Sequence, residues 1–196
     1  MRQIVGILLA AGSSRRFGAD KRLYPLADGT PMALASARHL AAICPRTIVV
    51  IRPDDSVLAE LLAAEGLETV VCESAAQGMG HSLSCGVAAS PNAAGWLVAL
   101  ADMPFIQPAS YHAVLRALYD GALMARPVFD KMMGHPVGFG ADSYSRLISL
   151  TGDQGGKVIL AADPTLLVTC PVNDPGIIHD VDRPSQVDVS SMPSSI

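Results

Sequence analysis

Short apolar runs alternate with amphipathic helical patterns through the first half of the chain, and this alternation restricts the possible folds most strongly. The segments between the runs carry apolar residues at the i, i+3, i+4 spacing of a helix that buries one face. The runs expected to form strands are residues 4–9, 47–51, 69–72 and 96–100. Because strands alternating with helices form βαβ units, we predict an α/β protein with a three-layer αβα, Rossmann-like arrangement around a mainly parallel sheet.

Residues that favour helix ends mark the helices of this half. Thr30, followed by Pro31, predicts the N-cap and first position of the first helix, and the acidic and serine residues 54–56 predict the start of the second. A third helix is expected to begin near Gly80 and a fourth near Pro108. The first half is therefore predicted to contain at least four strand and helix pairs.

The second half is less regular. Prolines and glycines interrupt residues 124–139, so we expect a short strand, a loop and another strand there. Two short helices, at 142–150 and 154–162, should precede a last strand at 166–170. The final residues, 189–196, lack periodicity and are expected to fray.

Size and charge limit the classes of partner. The chain has 196 residues, which fits one domain spanning residues 1–196. Its net charge is −4 and it has no basic block, which argues against a broad nucleic-acid surface. No apolar run approaches the roughly 18 residues of a membrane span, and the first residues lack the pattern of a secretory signal. We therefore expect a cytoplasmic protein without a nucleic-acid or membrane partner.

The first apolar run leads directly into a loop of small and basic residues. Residues 8–21 spell Leu-Leu-Ala-Ala-Gly-Ser-Ser-Arg-Arg-Phe-Gly-Ala-Asp-Lys. Backbone N–H groups of small residues can approach phosphate oxygens, and Arg16 and Lys21 could supply charge for a polyanion. The glycine spacing differs from that of a Walker loop and of a dinucleotide fingerprint. The segment predicts a nucleoside triphosphate site, and a βα turn with solvated basic residues is the alternative.

Two acidic segments are further candidates. Asp102 follows the run 96–100, and ligands of open α/β sheets bind beyond the carboxyl ends of strands. Asp180 and Asp182 flank Val181, so an extended backbone would direct both carboxylates to the same side. The residues alone leave other roles open, because Asp102 could cap a helix and the other two could be solvated carboxylates of a turn.

These motifs together resemble those of MobA-like and MocA-like NTP transferases. Residues 8–21 are similar to the Leu-x-x-Gly-x-x-x-Arg-Met/Phe-Gly-x-x-Lys signature of nucleotidyltransferases with a nucleotide-diphospho-sugar transferase type of fold. Within these, the chain is most similar to the molybdenum cofactor cytidylyltransferase and guanylyltransferase group. Residues 100–104 resemble its Leu-x-Asp-x-Pro motif, and residues 179–184 resemble its Asp-Ile-Asp-Thr-Pro-Glu-Asp element. The resemblance implies that Asp102 and Asp182 bind Mg²⁺, with Asp180 as the less favoured ligand.

The same resemblance implies the nucleotide-binding and catalytic residues. Arg16, Lys21 and Asp102 would be catalytic, with Arg16 on the β and γ phosphates and Lys21 on the α-phosphate. Residues 77–86 resemble a Gly-Met-x-x-Ser-Leu segment that lies against the nucleobase and ribose. The nucleotide-binding residues implied are Leu9, Ala10, Ala11, Gly12, Gly78, Ser82 and Leu83.

A third set of residues is implied to bind the acceptor. Residues 134–136 and 151–157 resemble the family's Gly-His-Pro and Gly-Asp-x-Gly-x-Arg elements. This implies that His135, Asp153 and Lys157 contact the acceptor, with Lys157 replacing the usual arginine. From local sequence alone, His135 could instead be a hydrogen-bonded turn histidine and Asp153 a helix N-cap.

The resemblance as a whole implies a Mg²⁺-dependent enzyme with CTP or GTP as nucleotide substrate. It would transfer CMP, in preference to GMP, to a molybdopterin-type molybdenum cofactor and release pyrophosphate. The loop residues Ala10 and Ala11 favour CTP by resemblance. A molybdenum hydroxylase apo-enzyme is a candidate recipient of the product. Two alternatives remain: a non-catalytic molybdenum cofactor carrier or maturation chaperone on the same fold, and a transferase acting on another phosphorylated acceptor.

Overall fold

The structure is a computed structural model that describes residues 3–12 and 17–187. The strands within these ranges are β1 (Ile4–Leu9), β2 (Thr47–Ile51), β3 (Glu68–Val71), β4 (Gly95–Leu100), β5 (Met124–Phe129), β6 (Met132–Met133), β7 (Val137–Gly140) and β8 (Leu167–Pro171). The helices are α1 (Met32–Ile43), α2 (Ser56–Ala64), α3 (Met79–Ala88), α4 (Pro108–Tyr119), α5 (Tyr144–Ile148) and α6 (Lys157–Ala162).

All these strands join one sheet. Its first part is parallel, in the order β3-β2-β1-β4, with Ile7 of β1 between Ile48 and Val98. Beyond β4 the sheet becomes mixed, because β7 runs antiparallel to both β4 and β5 while β8 adds in parallel beside β5. The sheet is thus mainly parallel, as predicted.

Apolar side chains on both faces of the sheet create the layers. Along β1, Ile4 and Leu8 pack on one face, and Val5 and Ile7 pack on the other. Helices α1, α2 and α4 contribute to the first core, and α3, α5 and α6 to the second. A strand buried on both faces needs this cover, so the chain has the predicted three-layer α/β, Rossmann-like fold.

One predicted helix cap is wrong, and the other lies at the predicted position. Pro31, not Thr30, is the N-cap of α1, and the Thr30 hydroxyl instead donates to Asp28 at 3.0 Å. Asp55 is the N-cap residue of α2, but its carboxylate makes no capping bond. That carboxylate accepts hydrogen bonds from two arginine side chains instead, because it lies at the buried end of β2 beside them.

The irregular second half departs further from prediction. The loop expected between two strands contains the short strand β6, because Asp130 and Lys131 adopt positive φ and close a tight hairpin. Helix α6 begins later than predicted because Gly152 and Gly155 have φ of +67° and +51°, which interrupts a helix. Asp153 is not its N-cap, since Gly156 occupies that position.

Two further expectations can be compared with the structure only in part. The predicted frayed tail, 189–196, lies outside the described residues. Among the described residues, no helix has both the length and the apolar character needed to cross a membrane.

Candidate active site

A cavity of about 710 Å³ lies at the carboxyl ends of the parallel strands. The residues that follow β1, β2 and β4 line it, as expected for an open α/β sheet. Backbone hydrogen bonds shape its floor, since Ala10 N–H donates to the Val50 carbonyl at 3.0 Å and Ala101 N–H donates to the Leu9 carbonyl at 3.2 Å. These bonds extend the strand pairing into the loop.

One lysine and two carboxylates meet at the edge of this cavity. Lys21 Nζ donates to Asp102 Oδ2 at 2.8 Å, to Asp182 Oδ1 at 3.1 Å and to the Val181 carbonyl at 3.1 Å. The lysine side chain is 13% exposed, and those of Asp102 and Asp182 are 25% and 40% exposed. Three residues that are distant in the sequence are therefore brought together, with access to the cavity.

Main-chain contacts hold these side chains in position. Val181 N–H donates to the Asp102 carbonyl at 2.8 Å, which fixes the second acidic segment against the turn after β4. The Val181 side chain is fully buried in a small core with Phe17 and Met32. Lys21 begins a short 3-10 turn that Asp20 caps by accepting from a backbone N–H.

The charge of this site favours a bound cation. Burial by itself lowers the pKa of Lys21, but hydrogen bonds and charges from Asp102 and Asp182 outweigh it and raise that pKa above its ordinary value. Two carboxylates plus substrate phosphates form a donor set that Mg²⁺ accepts. In the described part of the chain, no cluster of three or more acidic, His or Cys residues could hold a metal by itself.

Asp180 and Asp182 differ in their access to the cavity. Asp182 lines the cavity, whereas Asp180 is exposed and does not. The prediction that both carboxylates could face the site is therefore wrong for Asp180.

The predicted nucleotide-binding residues also divide. Leu9, Ala10, Ala11, Gly12, Gly78 and Ser82 line the cavity. Leu83 does not, since its side chain is 2% exposed and packs in the core between α3 and the sheet. A helical residue next to one that faces the cavity points about 100° away around the helix axis, which accounts for this difference. Arg16 lies outside the described residues, within the gap at 13–16.

The glycine-rich start of α3 is pressed against another loop. Gly80 N–H donates to the Gly152 carbonyl at 2.7 Å, and a Cβ on Gly78 would lie 2.4 Å from the same carbonyl group. Gly78 also has φ of +129°, which side chains rarely adopt. Glycine at these positions lets the loop that carries Asp153 reach the cavity.

The three predicted acceptor residues occupy different places. Asp153 lines the cavity, but His135 and Lys157 do not. Nδ1 of His135 is buried and has no hydrogen-bond partner among the described residues, but the imidazole makes a hydrogen bond with the backbone of Val98. Burial, together with the positive charges of Arg126 and Lys157, lowers the pKa of His135 to about 4. The imidazole is therefore neutral at physiological pH.

Sequence reasoning missed two arginines that line the cavity, Arg22 and Arg52. Arg52 directly follows β2, so the strand-end rule that selected Asp102 could have found it. Arg22 follows Lys21 in sequence, but its side chain is 3% exposed, and no local pattern marks a buried arginine.

The fold and the site together indicate a class of enzyme. The cavity at the ends of the parallel strands is lined by a loop of small residues, one lysine and two carboxylates. This arrangement is typical of nucleotidyltransferases, which are enzymes that handle nucleoside triphosphates. The chain belongs to the MobA-like NTP transferase domain family, which it matches over residues 6–166. Asp182 lies beyond the matched region.

Individual relatives are distant but cover nearly the whole chain. The chain is 26% identical to the purine catabolism protein PucB of Bacillus subtilis, over 95% of each chain. It is 28% identical to nicotine blue oxidoreductase of Paenarthrobacter nicotinovorans, over 94% of each. Among solved structures, Rv0371c of Mycobacterium tuberculosis has a TM-score of 0.78 at 25% identity, covering 94% of this chain and 95% of that one.

Proposed function

We propose that this protein is a Mg²⁺-dependent nucleotidyltransferase that moves CMP, in preference to GMP, from an NTP to a molybdopterin-type molybdenum cofactor. Pyrophosphate would be the second product. The observation that carries the proposal is the meeting of Lys21, Asp102 and Asp182 at one cavity, with Lys21 Nζ within 3.1 Å of both carboxylates. The cavity, of about 710 Å³, has the size of a small-molecule site.

The two carboxylates fit the role of metal ligands. Asp102 and Asp182 would hold Mg²⁺, and the phosphates of the nucleotide would complete its coordination. When bound, the ion would neutralise charge that develops on the phosphate oxygens. Lys21 must then release these carboxylates, and the α-phosphate is the partner that we assign to its ammonium group.

The reaction needs alignment and charge neutralisation more than proton transfer. The terminal phosphate of the acceptor is already ionised at neutral pH, so its oxygen can attack the α-phosphorus without a general base. A new P–O bond forms while the bond from the α-phosphorus to the bridging oxygen breaks, and the electron pair leaves with pyrophosphate. Lys21 would stabilise the α-phosphate through this exchange, and we assign the β and γ phosphates to Arg16.

The acceptor assignment depends on the second half of the chain. Asp153 lines the same cavity as Lys21, which supports its placement between nucleotide and acceptor. His135 and Lys157 do not line the cavity, and we propose their contact with the acceptor on the family resemblance. The neutral His135 would serve as a hydrogen-bond partner and not as a cation. The molybdenum cofactor itself is favoured by the Gly-His-Pro and Gly-Asp motifs.

The domain organisation and product recipient complete the proposal. We infer one domain for residues 1–196, because strands from residue 4 to residue 171 join a single sheet. A molybdenum hydroxylase apo-enzyme would receive the product.

One assay tests the activity and the base together. Purified protein is mixed with Mg²⁺ and molybdenum cofactor, CTP, GTP or ATP is added separately, and pyrophosphate is measured. We expect release with CTP well above release with the other two, and none when the metal is chelated. Binding of nucleotide and cofactor without release would favour a carrier. Release with another phosphorylated acceptor, but not with molybdenum cofactor, would overturn the acceptor assignment.

A further inference from the structure

A partly buried ionic cluster lies beside the 10–12 loop, and its two arginines line the cavity. We call Asp20, Arg22, Arg52 and Asp55 the Arg22 cluster. Arg22 and Asp55 have side chains only 3% exposed, and Arg22 bonds to both carboxylates. Arg52, which is 25% exposed, donates from Nη2 to Asp55 Oδ1 at 2.8 Å.

Every N–H of the Arg22 guanidinium has an acceptor. Nε donates to Asp20 Oδ1 at 2.7 Å, and Nη2 donates to Asp55 Oδ1 at 2.5 Å and to Asp20 Oδ2. Nη1 donates to Asp55 Oδ2 and, at 2.7 Å, to the Ala10 carbonyl. Arginine supplies these five donors in a fixed planar fork, whereas a lysine supplies three from a single atom. The geometry is therefore specific to arginine.

A gain in the folding stability of the protein does not by itself account for the Arg22 cluster. Burying an ion pair costs desolvation free energy that its attraction often fails to recover, and apolar replacements are frequently as stable. The buried pair of Arg22 and Asp55 nevertheless stays ionised. Burial raises the pKa of Asp55, but hydrogen bonds and charges from Arg22 and Arg52 outweigh burial and lower that pKa to about 2. A cluster that does not serve stability efficiently is a candidate for positioning the site.

The cluster controls the orientation of the loop backbone. Ala10 N–H is bound to the Val50 carbonyl at 3.0 Å, and its own carbonyl is bound to Arg22. A trans peptide is planar, so its C=O and N–H point in opposite directions. Holding the Ala10 carbonyl therefore fixes the direction of the N–H of Ala11, a residue that lines the cavity.

The same cluster also holds the segment of Lys21. Asp20 receives the Arg22 side chain and also accepts from Arg22 backbone N–H at 3.1 Å, which closes the short turn that begins at Lys21. The backbone on both sides of Lys21 is thus tied to the end of β2 through Asp55.

We propose that Arg22 is a positioning residue, which orients the 10–12 loop and Lys21 together for a nucleoside triphosphate. This inference rests on the proposed function, because it assigns the triphosphate to that loop. Arg22 acts through the backbone of Ala10 and the anchoring of Lys21, and need not touch the phosphates itself.

The test compares Arg22→Lys with a matched surface control, Arg38→Lys. Arg38 forms an exposed two-point pair with Glu65, at 2.8 and 3.1 Å, far from the cavity lining. We expect Arg22→Lys to raise the Kd for Mg²⁺·CTP about tenfold or more, since several charge-assisted bonds are lost. The KM for the nucleotide should rise in parallel while the KM for the acceptor stays unchanged. Arg38→Lys should leave all three values within about twofold.

A second variant keeps the inference testable if Arg22→Lys does not fold. Asp20→Asn preserves the size of the side chain and one oxygen acceptor, so a smaller rise in the same Kd is expected. Melting temperatures identify variants that are folded at the assay temperature. If the folded variants bind Mg²⁺·CTP with the wild-type Kd, whatever their melting temperatures, the positioning role is overturned and the proposed function stands. If the wild-type protein binds no NTP at all, the proposed function and this inference both fail.

Discussion

The parallel part of the sheet and the mixed part contribute to the cavity by different means. Strands β1, β2 and β4 end together at one edge, so the residues that follow them line the cavity as a direct result of topology. The mixed part reaches the cavity through loops, and among the described residues of this part Asp153 and Asp182 line it. Each of these two loops is held by a backbone hydrogen bond to the parallel part. The scaffold thus supplies the proposed nucleotide end, while loops fastened to it supply the second carboxylate and the proposed acceptor end.

The largest effect is expected for Lys21→Ala, which tests whether the parallel part of the sheet supplies the proposed nucleotide end. Loss of a preorganised electrostatic donor should lower turnover by ~10² or more. The measurement is pyrophosphate release with saturating nucleotide and acceptor, and Lys131→Ala, in the exposed β5–β6 hairpin, is the control. Near-normal turnover in Lys21→Ala would remove this residue from its proposed role.

A second test separates the three aspartates. Asp102→Asn and Asp182→Asn should each raise the Mg²⁺ concentration needed for half-maximal activity by roughly tenfold or more, because even indirect partners of metal ligands change affinity by about 10–100-fold. Asp180→Asn serves as the matched control, since its exposed side chain does not line the cavity. If Asp180→Asn raised the required Mg²⁺ concentration as much as Asp182→Asn does, the assignment of Asp182 in preference to Asp180 would be contradicted.

The contact between the two parts can be broken by Gly78→Ala. The new Cβ would lie 2.4 Å from the Gly152 carbonyl at a φ of +129°, so we expect a loss of about 3 kcal/mol of unfolding free energy. Gly29→Ala has φ of +81° with nothing within 4 Å, and should cost only about 1–2 kcal/mol. Chemical denaturation measures both. Similar losses would mean that backbone strain, and not the contact with Gly152, limits this position.

The smallest expected effect concerns His135 and pH. Its pKa of about 4 in the folded protein lies below the ordinary 6.5, so the unfolded chain binds the proton more readily. The folded state should therefore lose stability as the pH falls from about 6.5 towards 4, and this contribution should be absent above that range. Comparing urea unfolding at pH 7.5 and 5 for wild type and His135→Gln isolates the effect. His112→Gln, at an exposed position on α4, is the control, and an unchanged pH dependence in His135→Gln would contradict the prediction.

The parallel part was also the more predictable from sequence. Its four strands were placed within one residue, because buried strands form continuous apolar runs bounded by turn residues. Asp102 could be selected from its place after β4. Asp182 was preferred to Asp180 by resemblance, and of these two carboxylates the structure places Asp182 in the cavity lining.

What sequence missed depends on contacts between distant segments. The Arg22 cluster joins the β1 loop, the following turn and the end of β2, and no local pattern encodes such a meeting. The start of α6 was placed too early because Gly155 has a φ of +51°, which no helix running through it could adopt. Leu83 was assigned to the nucleotide because a motif lists neighbours in sequence, whereas neighbouring residues of a helix point about 100° apart around its axis.

The hydrogen bond from Val181 to Asp102 has a consequence for the order of assembly. All the described strands end by residue 171, so every segment of the sheet is synthesised before residue 182. Until then Asp102 has no second carboxylate beside it. The proposed metal site is consequently completed by one of the last segments of the described chain, and a chain truncated before residue 182 would lack one of the two proposed ligands.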